Sequence, residues 1–171
     1  MKRVLVIGCP GSGKSTFARR LRDAVNLPLY HLDLLWHRPD RTTVSTEEFD
    51  AALAGILQRD RWIIDGNFSR TLERRLVECD TVFLFDLPVD ECIAGVEARI
   101  GTKREDMPWV ETEFDPEFRE FITHFSETRL PNIYALLGKH EDKALTVFHS
   151  RAEAETYKIS AADAGQIAQE G

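Results

Sequence analysis

The sequence of 171 residues is poor in cysteine, in long apolar segments and in positive charge. Its three cysteines, Cys9, Cys79 and Cys92, are too few and too scattered for a disulfide framework or a zinc site. They are typical of reduced thiols in a cytosolic protein. The apolar stretch after Met1 is too short for a signal-peptide core or a membrane span. We therefore expect a cytoplasmic protein with no membrane partner.

The balance of charge limits the partners of the chain. The sequence has 29 Asp and Glu residues against 22 Lys and Arg, which gives a formal net charge of −7 at pH 7. Binding to a nucleic-acid backbone needs clustered Lys and Arg, so nucleic acid is a disfavoured partner, although a local basic cleft remains possible. The sequence has no repeat and no linker, so we expect a single domain over residues 1–171 with a frayed tail from about 159 to 171.

Strand-like and helix-like segments alternate along the chain, which predicts an α/β fold with a parallel sheet. Five strands are expected at about residues 3–7, 27–32, 62–66, 81–85 and 144–148. Helices are expected at 13–24, after the capping box Ser45-x-x-Glu48, at 69–78, up to Arg99, and from Asp115-Pro116. Residues 101–115 have no apolar period and are interpreted as an excursion from the core, a candidate lid.

The clearest functional motif is a complete phosphate-binding loop of the pattern G-x-x-x-x-G-K-[ST]. It consists of Gly8, Cys9, Pro10, Gly11, Ser12, Gly13, Lys14, Ser15 and Thr16. The backbone N–H groups of such a loop point at phosphates, and the helix that follows favours anions at its N-terminus. Lys14 can reach the β and γ phosphates, and the Ser15 hydroxyl can ligate Mg²⁺. The motif therefore predicts that ATP and Mg²⁺ bind here.

Aspartates at the predicted strand ends are the next candidates, because ligands collect at the carboxyl edge of a parallel sheet. A magnesium–triphosphate site needs a carboxylate in addition to the loop hydroxyl, and both Asp65 and Asp86 suit that role. Gly66 favours Asp65, because it lets the backbone pass close to a ligand. Asp33 better suits the acceptor, whose hydroxyl it could orient or deprotonate. The spacing also predicts that His31 and Asp33 share one face of the second strand.

Basic residues form a second group of candidates. Phosphoryl transfer spreads negative charge over the γ-phosphate oxygens, and arginines on a mobile segment can offset that charge and exclude water. We expect Arg99 and Arg104 to have this catalytic role together with Lys14, and Arg151, after strand five, to contact ATP. The acceptor is expected to contact Asp33, Asp65, Gly66, Asn67, Arg70 and Arg75.

The candidate lid is strongly acidic, which weighs against its covering a phosphate. Its acidic residues are Glu105, Asp106, Glu111, Glu113, Asp115 and the following Glu117. Carboxylates repel phosphate groups. The sequence alone leaves the role of the segment open.

Three segments together resemble one family of the P-loop kinase-like superfamily, the DNA topology modulation (FlaR-like) proteins, which are related to adenylate and shikimate kinases. The segments are Ile7 to Thr16, Tyr30-His31-Leu32-Asp33, and Trp62 to Phe68, and the likeness runs to about residue 155. The resemblance implies a three-layer fold with a sheet of order 2-3-1-4-5, ATP on the loop, and an acceptor cleft between strands two and three. It also implies that Asp65-Gly66 lies beside metal and acceptor, and that Arg99 and Arg104 are lid arginines.

Three hypotheses about function remain open. The first is an ATP-dependent phosphotransferase that moves the γ-phosphoryl group to a small-molecule or nucleotide acceptor. The second, suggested by the family label, is a nucleotide-binding regulator of DNA topology. The third is a slow NTPase whose nucleotide state controls a protein partner. No local motif identifies the acceptor or the oligomeric state.

Overall fold

The fold is built around five parallel strands, seen in a computed structural model that describes residues 1–160. The strands are β1 (Arg3–Gly8), β2 (Leu29–His31), β3 (Trp62–Asp65), β4 (Thr81–Phe85) and β5 (Ala144–Phe148). Their order in the sheet is β2-β3-β1-β4-β5, with helices on both faces. This confirms the α/β fold class and the sheet order. All but the first two residues of the predicted frayed tail, about 159–171, lie outside the described residues.

Helices connect the strands and cover the sheet. They are α1 (Lys14–Val25), α2 (Leu32–Trp36), α3 (Thr46–Leu57), α4 (Ser69–Glu78), α5 (Val89–Arg99), α6 (Pro116–Thr123), α7 (Phe125–Thr128), α8 (Leu130–Gly138) and α9 (Arg151–Thr156). Two of these helices, α3 and α6, begin where N-capping residues in the sequence predict a helix start. The capping box at Ser45 and Glu48 has both of its hydrogen bonds, and the Asp115 side chain accepts from the backbone N–H of Glu117. Within residues 1–160, no helix is long and apolar enough to cross a membrane.

The core lies on the two faces of the sheet. The central strands β1, β3 and β4 are almost entirely buried, which explains why they are near-continuous apolar runs rather than alternating ones. On one face, Phe17 of α1 packs against Phe83 and Phe148, with ring centroids 4.8 and 5.2 Å apart. These contacts hold α1, and with it the end of the phosphate-binding loop, against the sheet.

The second strand is shorter than the sequence predicts. β2 ends at His31, which is in register with Asp65, the last residue of β3. In the part of the chain that the structure describes, β2 lies at the edge of the sheet and pairs only with β3. The chain therefore has no strand partner beyond His31, and Leu32 begins α2. Asp33 therefore lies in the first turn of a helix. The expectation that His31 and Asp33 share a strand face was wrong.

The candidate lid, residues 101–115, contains no helix or strand, but a hydrogen bond and two ion pairs hold it in place. The backbone N–H of Gly101 donates to the carbonyl oxygen of Glu111 at 2.7 Å. Two ion pairs join the segment to α1, between Arg22 and Glu105 at 2.5 Å and between Arg19 and Asp106 at 3.7 Å. The two ion pairs join the candidate lid to the helix that follows the phosphate-binding loop.

Candidate functional site

A cavity of about 690 Å³ opens at the carboxyl ends of the strands. Its walls are the phosphate-binding loop, the start of α2, the turn after β3, the C-terminal half of α5, and the candidate lid with α6. This is the edge where an open α/β sheet places its ligands. Its volume lies within the range of sites that enclose a small molecule.

The phosphate-binding loop owes its path to its glycines. Gly8 and Gly11 have φ values of 136° and 78°, which L-residues with side chains rarely adopt. A Cβ atom at Gly11 would lie 2.1 Å from the carbonyl oxygen of Cys92 on α5, so the loop can pack there only without a side chain. Lys14 begins α1, and its Nζ donates to the carbonyl oxygen of Cys9 at 2.9 Å. The ammonium group is thus held within the loop, on the wall of the cavity.

Asp65 lies next to the loop and receives two hydrogen bonds on one oxygen. Ser15 Oγ donates to Asp65 Oδ2 at 2.6 Å, and His31 Nδ1 lies 2.8 Å from the same atom. The side chains of His31 and Asp65 are each 5% exposed. Burial acts to raise the pKa of Asp65, but His31, Lys14 and Ser15 together outweigh it and hold the pKa below its ordinary value. The carboxylate is therefore ionised beside the Ser15 hydroxyl.

This pair of oxygen donors fits Mg²⁺ in the way nucleotide sites hold it. Within residues 1–160, Asp65 Oδ1 is buried and has no hydrogen-bond partner, so one carboxylate oxygen remains available to a metal or its water. No group of three or more His, Cys, Asp or Glu in that part of the chain could hold a metal alone. Mg²⁺ commonly uses one or two protein oxygens and completes its shell with water and phosphate.

Asp86, the other candidate for the metal, lies outside the cavity wall. Its Oδ2 accepts a hydrogen bond of 2.6 Å from the hydroxyl of Tyr134, and His149 Nδ1 lies 3.9 Å away. Both strand ends carry an aspartate, but only Asp65 contacts Ser15. The geometry therefore favours Asp65 for the metal.

Asp33 faces the cavity from the first turn of α2. Burial and the negative charge of Asp65 raise the pKa of Asp33, and the charges of Lys14 and His37 offset only part of that effect. The rings of His37 and Trp109, 5.0 Å apart, line the same cavity. A carboxyl group with a raised pKa in a partly apolar pocket has the character of a general base.

The turn after β3 is bonded directly to the phosphate-binding loop. Asn67 Oδ1 accepts from the backbone N–H of Gly8 at 2.9 Å, and its Nδ2 donates to the carbonyl oxygen of Gly8 at 2.6 Å. Gly66 has a φ of 135°, and a Cβ atom there would lie 2.9 Å from the Cβ atom of Leu32. The turn can therefore pack against Leu32 only with glycine at this position. Asp65, Gly66 and Asn67 all line the cavity, as the sequence predicts.

The structure does not bring Arg70 and Arg75 to the cavity, where the sequence places them as acceptor contacts. Arg70 is exposed and forms an ion pair with Asp50 at 2.6 Å. Arg75 is fully buried, and its guanidinium donates to the carbonyl oxygens of Gly66, Asn67 and Phe68. Arg75 therefore supports the turn after β3 from outside the cavity, through hydrogen bonds to its backbone.

Arg99 and Arg104, the arginines predicted for the lid, do reach the cavity, where acidic residues of the candidate lid form ion pairs with them. Arg104 contacts Asp106 at 3.0 Å and Glu111 at 2.9 Å, while Arg99 Nε lies 3.3 Å from Glu111. Burial and the positive charge of Arg104 lower the pKa of Arg99. The acidic residues Asp106 and Glu111, which weighed against a lid in the sequence, thus neutralise the two arginines and hold them in place.

Arg151 also lines the cavity, at the start of α9. Its guanidinium donates to the carbonyl oxygen of Gly11 and, at 3.0 Å, to that of Glu91 on α5. In this arrangement it braces the phosphate-binding loop against α5.

Sequence reasoning missed several cavity residues, among them Arg19, Trp109, Phe118 and Phe121. Arg19 follows Ser15 by four positions on α1, so helical spacing could have placed it on the same face. Phe118 and Phe121 lie at a helical spacing that is more often found in core packing than in a ligand site. They do pack on each other, but they also form a cavity wall, with Arg99 5.8 Å above the Phe118 ring.

Comparison with solved structures shows a P-loop kinase-like fold. A shikimate kinase from Acinetobacter baumannii in complex with shikimate matches with a TM-score of 0.59 and 12% identity over 95% of this chain and 87% of that one. A shikimate kinase from Bacteroides thetaiotaomicron gives 0.54 and 15%, over 91% and 92%. A gluconokinase from Sinorhizobium meliloti gives 0.50 and 14%, over 82% and 94%. No family model and no curated relative matches the sequence, so the resemblance to the DNA topology modulation proteins stays a prediction.

Proposed function

We propose that the protein is an ATP-dependent phosphotransferase that moves the γ-phosphoryl group of ATP to a hydroxyl of a small-molecule or nucleotide acceptor. The observation that carries this proposal is that the phosphate-binding loop, the Ser15–Asp65 pair and Asp33 line one cavity. The similar solved structures, shikimate kinase and gluconokinase, are named for phosphorylating small molecules, and this agrees with the proposal.

Each group in the cavity has a distinct task in this reaction. The loop N–H groups and Lys14 bind the phosphates, and His31 orients Asp65. Ser15 and Asp65 would hold Mg²⁺, which when bound offsets the charge of the phosphate oxygens. Asp33 orients the acceptor hydroxyl and takes its proton as the new bond to phosphorus forms. Arg99 and Arg104 offset the charge on the group in transfer, and Arg151 keeps the loop in position.

The test is release of ADP from Mg-ATP against a panel of nucleoside monophosphates, nucleosides and small hydroxy compounds. Release that depends on one class of acceptor, and that a Lys14→Ala variant loses, is the expected result. Release that ignores every acceptor would instead favour a slow NTPase that acts on a protein partner. DNA binding with a steep salt dependence would favour a regulator of DNA topology, against which the net charge of −7 weighs.

Asp33→Asn is expected to lower kcat by about 10²–10⁴-fold, the usual contribution of a general base. Because burial and Asp65 raise the pKa of Asp33 above its ordinary value of 3.8, the wild-type rate should fall as the pH drops through that raised pKa. The variant should lose this acidic limb of the kcat profile. The measurement is kcat against pH with a saturating acceptor.

The same substitution should stabilise the fold at neutral pH. A carboxyl group whose pKa is raised by folding loses stability as the pH increases from its unfolded pKa through its folded one, because the ionised form is disfavoured in the native state. The neutral amide removes that cost, so the melting temperature of Asp33→Asn should exceed that of the wild type at pH 7. Asp60→Asn, at an exposed position, is the matched control and should change neither property. An unchanged acidic limb in Asp33→Asn would contradict the assigned role.

A further inference from the structure

Glu111 places a carboxylate between the two lid arginines, where the proposed function requires a phosphoryl group. Its Oε2 lies 2.9 Å from Arg104 and 3.3 Å from Arg99 Nε, and all three residues line the cavity. The side chains are only 15–20% exposed, so this charge cluster is largely shielded from bulk water. Shielding strengthens both the attraction of the arginines for an anion and their repulsion of each other.

The carboxylate satisfies the two guanidinium groups only in part. Both approach the same oxygen atom, and within residues 1–160 the buried Nε of Arg99 has no hydrogen-bond acceptor of suitable geometry. Two guanidinium groups offer several parallel N–H donors, and these match the oxygens of a phosphoryl group. A terminal phosphoryl group, with three free oxygens, would therefore use donors that Glu111 leaves unused.

Glu111 differs from the other acidic partner of Arg104 in how it is held. Asp106 is 4% exposed and also lies 3.7 Å from Arg19, so it anchors Arg104 within the lid. Among residues 1–160, the Glu111 side chain forms ion pairs only with the two arginines, and the hydrogen bond from Gly101 to its carbonyl oxygen, at 2.7 Å, fixes its backbone. The side chain of Glu111 can therefore swing away without moving the chain that carries it.

We propose that Glu111 is an internal substitute for the terminal phosphoryl group of the nucleotide, occupying an anion site formed by Arg99 and Arg104 until a triphosphate displaces it. The inference rests on the proposed function and adds the identity of the residue that competes for this site. In the ligand-free protein the carboxylate holds two like charges together in the cavity. A triphosphate has to replace it, whereas a diphosphate does not reach the site and leaves the Glu111 contacts intact.

The experiment uses titration calorimetry, in the presence of Mg²⁺, to measure two affinities of the protein. One is for a non-hydrolysable β,γ-imido analogue of ATP, and the other is for ADP. Glu111→Gln removes the competing negative charge and should bind the triphosphate about 10-fold more tightly. Its affinity for ADP should stay within about twofold of the wild type. Glu113→Gln is the matched control, because Glu113 lines the same cavity but forms no ion pair within residues 1–160.

Several outcomes would overturn the inference. An equal gain for ADP and the triphosphate, or an equal gain in Glu113→Gln, would mean that Glu111 acts only through the general field of the cavity. Weaker triphosphate binding by Glu111→Gln would mean that the residue braces the lid. If Glu111→Gln does not fold, Glu111→Asp replaces it, and its shorter reach should give an intermediate gain of about threefold. A wild-type protein that binds neither nucleotide would instead refute the proposed function, with a result distinct from all of these.

Discussion

Replacing Lys14 with alanine is expected to lower the rate of phosphoryl transfer by about 10²–10³-fold or more, as loss of a single preorganised donor to a developing negative charge does. The ammonium group is held in the loop by the carbonyl oxygen of Cys9, 2.9 Å away, on the wall that the phosphates would contact. Because Lys14 is a compact charge on a flexible chain, no neighbouring arginine can take its place at the same point.

The substitution should leave the fold nearly intact. Lys14 is the first residue of α1, where alanine is well tolerated, and the folded state loses one buried hydrogen bond worth about 1 kcal/mol. The measurement is therefore kcat and KM for Mg-ATP together with a melting curve. Lys103→Ala, an exposed change of the same kind in the lid, is the control and should retain activity. Near-wild-type transfer by folded Lys14→Ala would exclude the loop as the nucleotide site.

The sequence predicted the parts of this molecule whose signals are local. The phosphate-binding loop, the capping box at Ser45 and Glu48, and the strands at residues 81–85 and 144–148 all depend on a few adjacent residues, and the structure has them at the predicted places. Asp65 was favoured over Asp86 because a glycine follows it, and only Asp65 contacts Ser15. The pattern of apolar strands ending in aspartate was enough to find this edge of the sheet.

The features that the sequence could not supply depend on contacts between distant residues. The end of β2 is set by where its partner β3 ends, and nothing local marks that point. The lid is held by pairs such as Arg22 with Glu105, which are 83 positions apart. Its acidic residues could be interpreted only once their arginine partners were known. The same limit applies to Arg75. Its buried position depends on the backbone carbonyl groups of the turn after β3, and no local sequence signal predicts that contact.

Arg75 should be among the most sensitive positions for stability, although it lies outside the cavity. Its fully buried guanidinium binds three carbonyl oxygens, those of Gly66, Asn67 and Phe68, and no carboxylate within residues 1–160 pairs with it. Burial lowers the pKa of Arg75 to about 9, so the group still carries its charge at neutral pH. Hydrogen bonds from a charged donor are stronger than neutral ones, and this supports the turn that carries Asp65.

Arg75→Met is therefore expected to lower the free energy of unfolding by about 3–5 kcal/mol, because it leaves three buried or part-buried carbonyl oxygens without donors while filling much of the same volume. Arg70→Met is the matched control on the same helix, and since Arg70 is exposed it should leave the urea midpoint nearly unchanged. Asn67 links the turn to Gly8, so Arg75→Met should also weaken nucleotide binding in the protein that remains folded. Equal urea midpoints for the two variants would show that the turn holds its shape without Arg75. The guanidinium would then have no part in positioning Asp65 beside Ser15.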